Sequence, residues 1–297
     1  VLMVPQGAAL EVDRVAEVAQ AAGADVIETR AVPVPVTLFD RRTVHNLLVS
    51  SADTEGLSSR LRDLSDQYGV DIALQSRAAR CQSYRLAVFD MDSTLIDCEV
   101  IDQLAAQAGV GEAVAEITAQ AMRGDLDFDE SYRTRLALLE GLDARAVEEL
   151  ADRLPVKEDL REMTTTLKAQ GLKLAIFSGG FMPIAERLQV DYGFDEVVAN
   201  TLEIASGKVT GRVVPPIVNR EHKAAALQAL ATRLGIGVDA CIAVGDGAND
   251  LDMMAMAGLG VAFHAKPAVR AASPIEVTHC GLDGVCYLLG SEGEFAD

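Results

Sequence analysis

From residue 85 onward, short apolar runs alternate with longer amphipathic segments. The apolar runs predict buried strands at 85–90, 172–177, 195–199, 239–244 and 259–263. The intervening segments repeat their apolar residues at helical spacing and predict helices at about 157–170, 181–192, 221–234 and 249–257. Because strands alternate with helices in this way in doubly wound proteins, the predicted fold class is α/β with a parallel sheet.

Two segments interrupt this alternation. Residues 201–214 have the pattern of a β-hairpin that turns at Ser206, Gly207 and Lys208. Residues 98–155 form a longer insertion with apolar positions at helical spacing, namely Leu104, Val114, Ile117, Met122, Leu136, Leu139 and Leu150. Since the insertion directly follows the first strand of the sheet, we expect a helical cap over the carboxyl ends of the strands.

Residues 1–78 have a separate pattern. After a short first strand, it predicts a helix at 11–22, strands at 24–32 and 43–51, a helix at 57–68 and a last strand at 70–74. This order predicts a ferredoxin-like α+β domain and resembles the ACT domains, which sense amino acids. Residues 76–84 read as a short polar linker, so we expect 1–78 to be an independently cored unit that is dispensable for catalysis.

Composition and charge limit the range of functions. A length of 297 residues accommodates two domains, and a net charge of −19 disfavours binding to nucleic acid or to anionic membranes. No apolar run reaches the roughly 18 residues that span a bilayer, and the first residues lack a signal-peptide pattern. Five cysteines without a CxxC pair argue against zinc and disulfides. We therefore expect a cytoplasmic protein.

The first predicted strand of the sheet ends in two carboxylates. The apolar residues 86–89 are followed by Asp90 and, two positions later, by Asp92. Parallel sheets bind ligands beyond the carboxyl ends of their strands, so both side chains should enter that crevice. A carboxylate there is suited to nucleophilic attack on phosphorus, with its neighbour as acid and base. Alone, the pattern fits an Asx-type turn equally well.

A second acidic cluster follows the fourth predicted strand, at residues 245–250. Asp246 is the natural metal ligand, Asp250 is expected to fix the loop, and Asn249 to contact phosphate or orient a ligand. Two facing sets of acids need a hard cation such as Mg²⁺. A calcium-binding loop is excluded because its glycine and its twelfth-position glutamate are missing. The two clusters together favour Mg²⁺-dependent phosphoryl transfer over a simple turn.

Two further features supply groups that bind phosphate. Ser178, Gly179 and Gly180 lie where the second predicted strand gives way to a helix, and a hydroxyl with free N–H groups at such a terminus can bind phosphate. Lys223 lies near the start of a later predicted helix. It is either a solvated surface lysine or the cation that holds the phosphoryl group against the carboxylates.

These four elements, in this order and at these spacings, resemble the haloacid dehalogenase superfamily and, within it, the phosphoserine phosphatases. The resemblance covers about residues 84–290, including the cap. It implies that Asp90 is the nucleophile, that Asp92 is the acid and base, and that Asp90, the Asp92 backbone carbonyl and Asp246 hold Mg²⁺. It also implies a set of phosphate-binding and supporting residues, namely Ser178, Gly179, Lys223 and Asn249, with Gly180 and Asp250 in support.

The cap residues carry the substrate prediction. In this family a glutamate of a Glu-x-Ile-Asp segment binds the ammonium of the substrate, and here that residue is Glu99. An arginine binds the carboxylate, which implies Arg135, while Met122 and Phe128 close the pocket. The implied reaction is hydrolysis of O-phospho-L-serine through an aspartyl-phosphate, the last step of serine biosynthesis. Residues 155–157 depart from the family's Pro-Gly turn at the cap hinge.

Other functions use overlapping residues. A phosphotransferase, or a phosphatase of another small phosphorylated amino acid or alcohol, would share the whole core. A receiver-type signalling domain also phosphorylates an aspartate but lacks a cap, and a purely regulatory amino-acid-binding protein would leave the four motifs unused. The resemblance of residues 1–78 to ACT domains implies a homodimer and, as an open alternative, serine as an effector.

Overall fold

The computed structural model describes residues 1–5, 8, 10–32, 42–123 and 125–290. The first part of the chain forms a small domain with strands β1 (Leu2–Pro5), β2 (Asp25–Ala31), β3 (Arg42–Ser50) and β4 (Asp71–Ile72) and helices α1 (Val12–Ala21) and α2 (Thr54–Tyr68). The strands pair antiparallel in the order β2-β3-β1-β4. The predicted ferredoxin-like order of elements is therefore confirmed. Most of the loop expected after β1 at residues 5–7, and of the turn expected before β3 at residues 40–42, lies outside the described residues.

The small domain has an apolar layer of its own under its two helices. Leu2 of β1, Val15 of α1 and Leu61 of α2 are buried together there. Helix α2 begins where the Asp53 side chain accepts a hydrogen bond from the backbone N–H of Gly56 at 2.8 Å, and it ends at Gly69 in the left-handed conformation. Local capping and the apolar stripe thus fix α2 against the sheet.

The larger part of the chain is built on a seven-stranded sheet. Its strands are β5 (Leu86–Phe89), β6 (Lys173–Phe181), β7 (Glu196–Ala205), β8 (Lys208–Val214), β9 (Cys241–Gly245), β10 (Leu259–Phe263) and β11 (Glu276–Val277). Their order is β11-β10-β9-β5-β6-β7-β8, and all pairs are parallel except β7 with β8. Every residue of β5 is buried, because helices cover both faces of the sheet.

The helices of the described residues match the predicted α/β pattern. A short helix, α3 (Arg77–Arg80), precedes the sheet, and the insertion contains α4 (Val100–Gln107), α5 (Gly111–Arg123), α6 (Phe128–Ala137) and α7 (Arg145–Ala151). The remaining helices are α8 (Leu160–Ala169), α9 (Met182–Tyr192), α10 (Arg220–Leu234), α11 (Leu251–Met256), α12 (Pro267–Ala272) and α13 (Asp283–Tyr287). Among the residues that the structure describes, no helix has the length and apolar character needed to cross a membrane.

The two interruptions of the alternation are also confirmed. Strands β7 and β8 form the predicted hairpin, and Ser206 and Gly207 make its turn with φ of 52° and 75°. The insertion is helical, and its two ends meet in a short backbone ladder. There the Asp97 N–H donates to the Pro155 carbonyl at 2.7 Å and the Lys157 N–H to the Leu95 carbonyl at 3.0 Å. The cap thus leaves and rejoins the sheet domain at one point.

The predicted polar linker at 76–84 is wrong. Part of it is helix α3, and both Arg80 and Tyr84 are buried. The Arg80 guanidinium donates to the backbone carbonyl of Tyr287 at 2.6 Å. In addition, Met3 and Val44 belong to the same buried apolar cluster as the interior of the large domain. The apolar layer under the two helices thus belongs to the small domain alone, whereas Met3 and Val44 belong to a core shared with the large domain.

A buried carboxylate joins the two domains. Asp71, in β4, is fully buried and accepts hydrogen bonds from the backbone N–H groups of Thr278 at 2.7 Å, His279 at 3.0 Å and Cys280 at 2.6 Å. Nearby, Arg270 bonds to Asp66 of α2 at 2.7 Å. Removal of residues 1–78 would leave these groups without partners, so the expectation that the unit is dispensable does not fit this packing.

We predict that Asp71→Ala lowers the free energy of unfolding by about 3 kcal/mol, because one buried and two partly buried N–H groups lose their acceptor. Urea unfolding followed by far-ultraviolet circular dichroism measures this change. Asp53→Ala is the matched control, since it removes an exposed N-cap within the small domain and should cost only about 1 kcal/mol. Equal losses in the two variants would contradict a structural role for the contact between domains.

Candidate active site

A cavity of about 680 Å³ lies between the carboxyl ends of the strands and the cap. Its lining brings together most of the predicted site residues, namely Asp90, Asp92, Glu99, Phe128, Arg135, Ser178, Gly179, Gly180, Asp246 and Asn249. Lys223 and Asp250 lie beneath this lining, fully buried. The side chain of Met122 lies outside the described residues, so its predicted contact stays a prediction.

The arrangement follows from the strand order. Strands β9, β5 and β6 are neighbours at the centre of the sheet, so the residues after each strand meet at one edge. Asp90 directly follows β5, and its backbone N–H donates to the carbonyl of Val244 in β9 at 2.9 Å. This bond extends the hydrogen-bonded pairing of β5 with β9 by one residue and fixes the Asp90 side chain beside the loop that follows β9.

Lys223 is an interior residue. Helix α10 begins at an Asn219 cap, whose side chain accepts the His222 N–H at 3.0 Å, and Lys223 is then held on its buried face. Its Nζ donates to Oδ1 of Asp90 at 2.7 Å and to Oδ1 of Asp250 at 2.6 Å. The surface-lysine alternative is therefore wrong.

The charge of Lys223 is stabilised by these partners. Burial acts to lower the pKa of the ammonium, but the charges of Asp250 and Asp90 and their hydrogen bonds raise that pKa above its usual value. The lysine therefore keeps its proton at all physiological pH values. A permanent cation lies directly under the predicted nucleophile.

Asp250 fixes the loop after β9. Its Oδ2 accepts the Gly247 N–H at 3.0 Å while its Oδ1 accepts Lys223. A Cβ at Gly245 would lie 2.4 Å from the Asp250 carboxyl carbon, so only glycine fits there. Burial, reinforced by the charge of Asp90, raises the pKa of Asp250 to about 7 against the opposing effect of Lys223. Glycine and aspartate thus determine the loop shape together.

The carboxylates form a group that fits a divalent cation. Oxygen atoms of Asp90, Asp246 and Asp250 lie within 4.8 Å of one another, and all three residues are buried. Burial, followed by the charge of Asp90, raises the pKa of Asp246 to about 6, so the charged carboxylate is poorly solvated where it lies. Hard oxygen donors of this kind suit Mg²⁺. Since Asp250 already accepts two hydrogen bonds, Asp90 and Asp246 are the side chains that would hold the ion.

Asp92 lies in a different environment from Asp90. Its Oδ1 is buried and has no hydrogen-bond partner among the described residues. Burial, followed by the charges of Glu99 and Asp90, holds the pKa of Asp92 well above its usual value. The carboxyl approaches the neighbouring strand so closely that a Cβ at Gly180 would lie 3.0 Å from its Oδ2. Two aspartates only two positions apart therefore lie in different electrostatic surroundings.

The loop of Ser178, Gly179 and Gly180 differs from the prediction. Strand β6 continues to Phe181 and α9 begins at Met182, so Ser178 lies in a strand extension rather than at a helix terminus. The buried Ser178 Oγ accepts the Gly180 N–H at 2.8 Å. The Asn200 side chain holds the loop, since its Nδ2 donates to the Gly179 carbonyl at 2.8 Å. The segment thus lies in a break of the pairing between β6 and β7, between Phe177 and Phe181, and not at a helix cap.

The cap places opposite charges in the same cavity. Glu99 accepts a hydrogen bond from the Ser93 hydroxyl at 3.0 Å, and Arg135 lies on helix α6, with its Nε 3.4 Å from the Ser131 carbonyl. Burial lowers the pKa of Arg135, an effect that the charges of Asp102 and Glu99 oppose. A guanidinium stays protonated under these conditions. The cap end of the cavity therefore suits a ligand with both an ammonium and a carboxylate.

Sequence reasoning missed three residues of the site. Asp102 and Tyr132 line the cavity from cap helices, three positions after Glu99 and four after Phe128, so helical spacing could have identified both. Lys266 follows the end of β10, and its Nζ lies 3.5 Å from Asp246 Oδ2. Its position just after the predicted strand at 259–263 could have identified Lys266 as a site residue.

A family model described as haloacid dehalogenase-like hydrolase matches residues 84–258. The chain belongs to this family. The matched range begins just before β5 and ends after the β9 loop, so it contains the two acidic clusters, the cap, the Ser178 loop and Lys223. This hydrolase family assignment agrees with the resemblance inferred from the motifs and with the observed fold.

Individual relatives refine the comparison. The chain is 45% identical over 258 residues to a phosphoserine phosphatase of Streptomyces coelicolor and covers 63% of that protein, with 86% of its own length aligned. It is 44% identical over 234 residues to the phosphoserine phosphatase SerB2 of Mycobacterium tuberculosis and covers 57% of it, with 79% of its own length aligned. The chain therefore spans about three fifths of the length of these relatives.

A solved structure matches almost the whole chain. A HAD family hydrolase from Salmonella enterica serovar Typhi superposes with a TM-score of 0.86 at 29% identity, covering 97% of this chain and 98% of that one. The match includes the small domain as well as the hydrolase domain. The combination of the two domains is thus shared with another member of the family.

We predict that Lys223→Met destabilises the protein by about 3–5 kcal/mol at pH 8, because two buried carboxylates lose their shared counter-ion. Without the lysine, the pKa of Asp250 rises further above about 7. The deficit in unfolding free energy should then shrink as pH falls from 8 to 5.5, since protonation removes the repulsion. Urea unfolding of both proteins at several pH values from 8 to 5.5 measures this deficit in the free energy of unfolding.

The double variant Lys223→Met with Asp250→Asn is the control for this prediction. It removes one charge of each sign, so it should be more stable than Lys223→Met alone. A deficit that does not vary with pH and is not relieved by the second substitution would contradict the proposed charge balance and indicate a packing defect.

Proposed function

We propose that this hydrolase cleaves O-phospho-L-serine to L-serine and phosphate in a Mg²⁺-dependent reaction. The observation that carries the proposal is a single cavity whose lining includes Asp90 and Asp92 from the sheet edge and Glu99 and Arg135 from the cap. A phosphoryl group fits the first pair, while an ammonium and a carboxylate fit the second. Relatives that are 44–45% identical have the name phosphoserine phosphatase, which supports this substrate.

The proposed reaction proceeds in two displacements at phosphorus. Asp90 attacks, the bond from phosphorus to the serine oxygen breaks, and Asp92 gives its proton to that oxygen. Asp92 then takes a proton from a water molecule that attacks the aspartyl-phosphate, and the bond from Asp90 to phosphorus breaks. Mg²⁺, held by Asp90, Asp246 and the Asp92 backbone carbonyl, would neutralise charge on the phosphoryl oxygens.

Other residues hold the phosphoryl group during these steps. Lys223 places a positive charge beneath Asp90, and Asn249, Ser178 and Gly179 line the same cavity as Asp90. We assign all four to phosphate binding and orientation. Gly180 leaves room for Asp92, and Phe128 closes the cavity beside Gly179, where a Cβ would lie 3.3 Å from its ring.

We further propose roles for the two domains, a location and an assembly state. Residues 84–290 with the cap at 98–155 form the catalytic unit, and residues 1–78 form an ACT-like regulatory or dimerisation unit. The protein would act in the cytoplasm at the last step of serine biosynthesis, as a homodimer without a nucleic-acid or membrane partner. Serine is the candidate effector of the small domain.

We predict that Arg135→Ala lowers kcat/KM for phosphoserine by about 10–150-fold, because a charge-assisted contact with the carboxylate is lost. Phosphoethanolamine lacks that carboxylate, so its hydrolysis should not change. Glu99→Gln is the matched variant and should spare phospholactate, which lacks the ammonium. Phosphate release from the three esters, with and without Mg²⁺, measures these effects. Equal losses on all of them would place both residues in the chemistry or in folding.

We predict that Asp92→Asn slows phosphoserine hydrolysis by more than about 100-fold but leaves a burst of nitrophenolate from p-nitrophenyl phosphate. Nitrophenolate leaves without a proton, so the first displacement continues while the second one stalls. Stopped-flow absorbance measures the burst, which should equal one product per active site. A variant that loses both substrates equally and shows no burst would refute the role of Asp92.

The same assays separate hydrolysis from phosphoryl transfer. A phosphotransferase would yield less free phosphate than alcohol product when a second alcohol is added, whereas a hydrolase yields equal amounts. We expect equal amounts, since no described residue of the cavity is assigned to a second alcohol.

A further inference from the structure

Lys266 contacts the predicted metal ligand Asp246 in two ways. Its side-chain Nζ lies 3.5 Å from Asp246 Oδ2, and its backbone N–H donates to the Asp246 carbonyl at 3.2 Å. The Asp246 side chain is 7% exposed, whereas that of Lys266 is 51% exposed. A buried carboxylate therefore has a half-exposed, solvated cation as its neighbour.

Lys266 differs from the other basic residues of the site. Among the described residues that line the cavity, Arg135 and Lys266 are the basic ones, and Arg135 belongs to the cap. Lys223 is fully buried and bound to Asp90 and Asp250 at 2.7 and 2.6 Å. Lys266 is thus the lining cation at the end of the cavity where the carboxylates meet.

Hydrogen bonds fix the backbone around Lys266, whereas about half of its side chain is exposed to solvent. His264 has a φ of 44°, its N–H donates to the Val277 carbonyl at 2.8 Å, and its Nε2 donates to the Cys280 carbonyl at 2.7 Å. Lys266 itself directly precedes Pro267, the first residue of α12. The ammonium can therefore swing away from Asp246 without any change in the fold.

We propose that Lys266 is a positioning residue that holds Asp246 in the metal-free site and moves aside when Mg²⁺ binds. Both cations seek the same carboxylate, so the ammonium stabilises the metal-free protein and lowers its affinity for Mg²⁺. The inference rests on the proposed Mg²⁺ site and adds to it a residue that sets metal affinity. Such competition would keep the metal exchangeable between turnovers.

The test is titration of the metal-free, full-length protein with MgCl₂ by isothermal calorimetry, without substrate. Lys266→Met should bind Mg²⁺ about two- to tenfold more tightly than the unmodified protein, and Lys266→Arg should restore the original affinity. The gain should shrink at 0.5 M NaCl, where charges are screened. Lys173→Met is the matched control, because Lys173 is 58% exposed, pairs with Asp195 at 2.8 Å and does not line the cavity.

Thermal unfolding gives a second readout. In EDTA, Lys266→Met should melt about 1–3 °C below the unmodified protein, and in saturating Mg²⁺ the two should coincide. Unchanged or weaker Mg²⁺ binding by Lys266→Met, while the unmodified protein binds the metal, would overturn this inference alone. Failure of the unmodified protein to bind Mg²⁺ would overturn the proposed metal site and this inference with it.

Discussion

The active site depends on a fully buried ammonium between two buried carboxylates. Asp90 and Asp250 come from different loops, and their charges would repel if Lys223 did not lie 2.6–2.7 Å from each. Since burial of an unpaired charge costs several kcal/mol, removal of any of the three affects the other two. These three charges therefore fix where the candidate nucleophile lies.

The rest of the fold supports this small cluster. Strands β5 and β9 bring the two acidic loops together, and the cap returns to the sheet domain through the ladder at 95–97 and 155–157. The small domain also contributes, because Asp71 binds residues 278–280, to which His264 is bound in turn. His264 lies two residues before Lys266. A series of hydrogen bonds therefore connects the small domain with the edge of the site.

The sequence predicted those features that depend on local pattern. Apolar runs located the strands, and the polar residues that follow Phe89 and Val244 located the two acidic loops. The burial of Lys223 could not be predicted locally, because its partner Asp90 lies 133 residues away. The same holds for Asp71, whose partners are 207–209 residues distant. Ser178 was placed at a helix start because local pattern does not show that β6 resumes its pairing with β7 at Phe181.

The central claim is that Asp90, held by Lys223, forms the covalent bond to phosphorus. The most direct measurement is acid quenching during turnover of phosphoserine, reduction with borohydride and peptide mass spectrometry. An aspartyl-phosphate is reduced to homoserine, so the account predicts this conversion at position 90 alone and only when substrate and Mg²⁺ are both present. Conversion at position 92 or 246, or none at any aspartate during steady turnover, would contradict it.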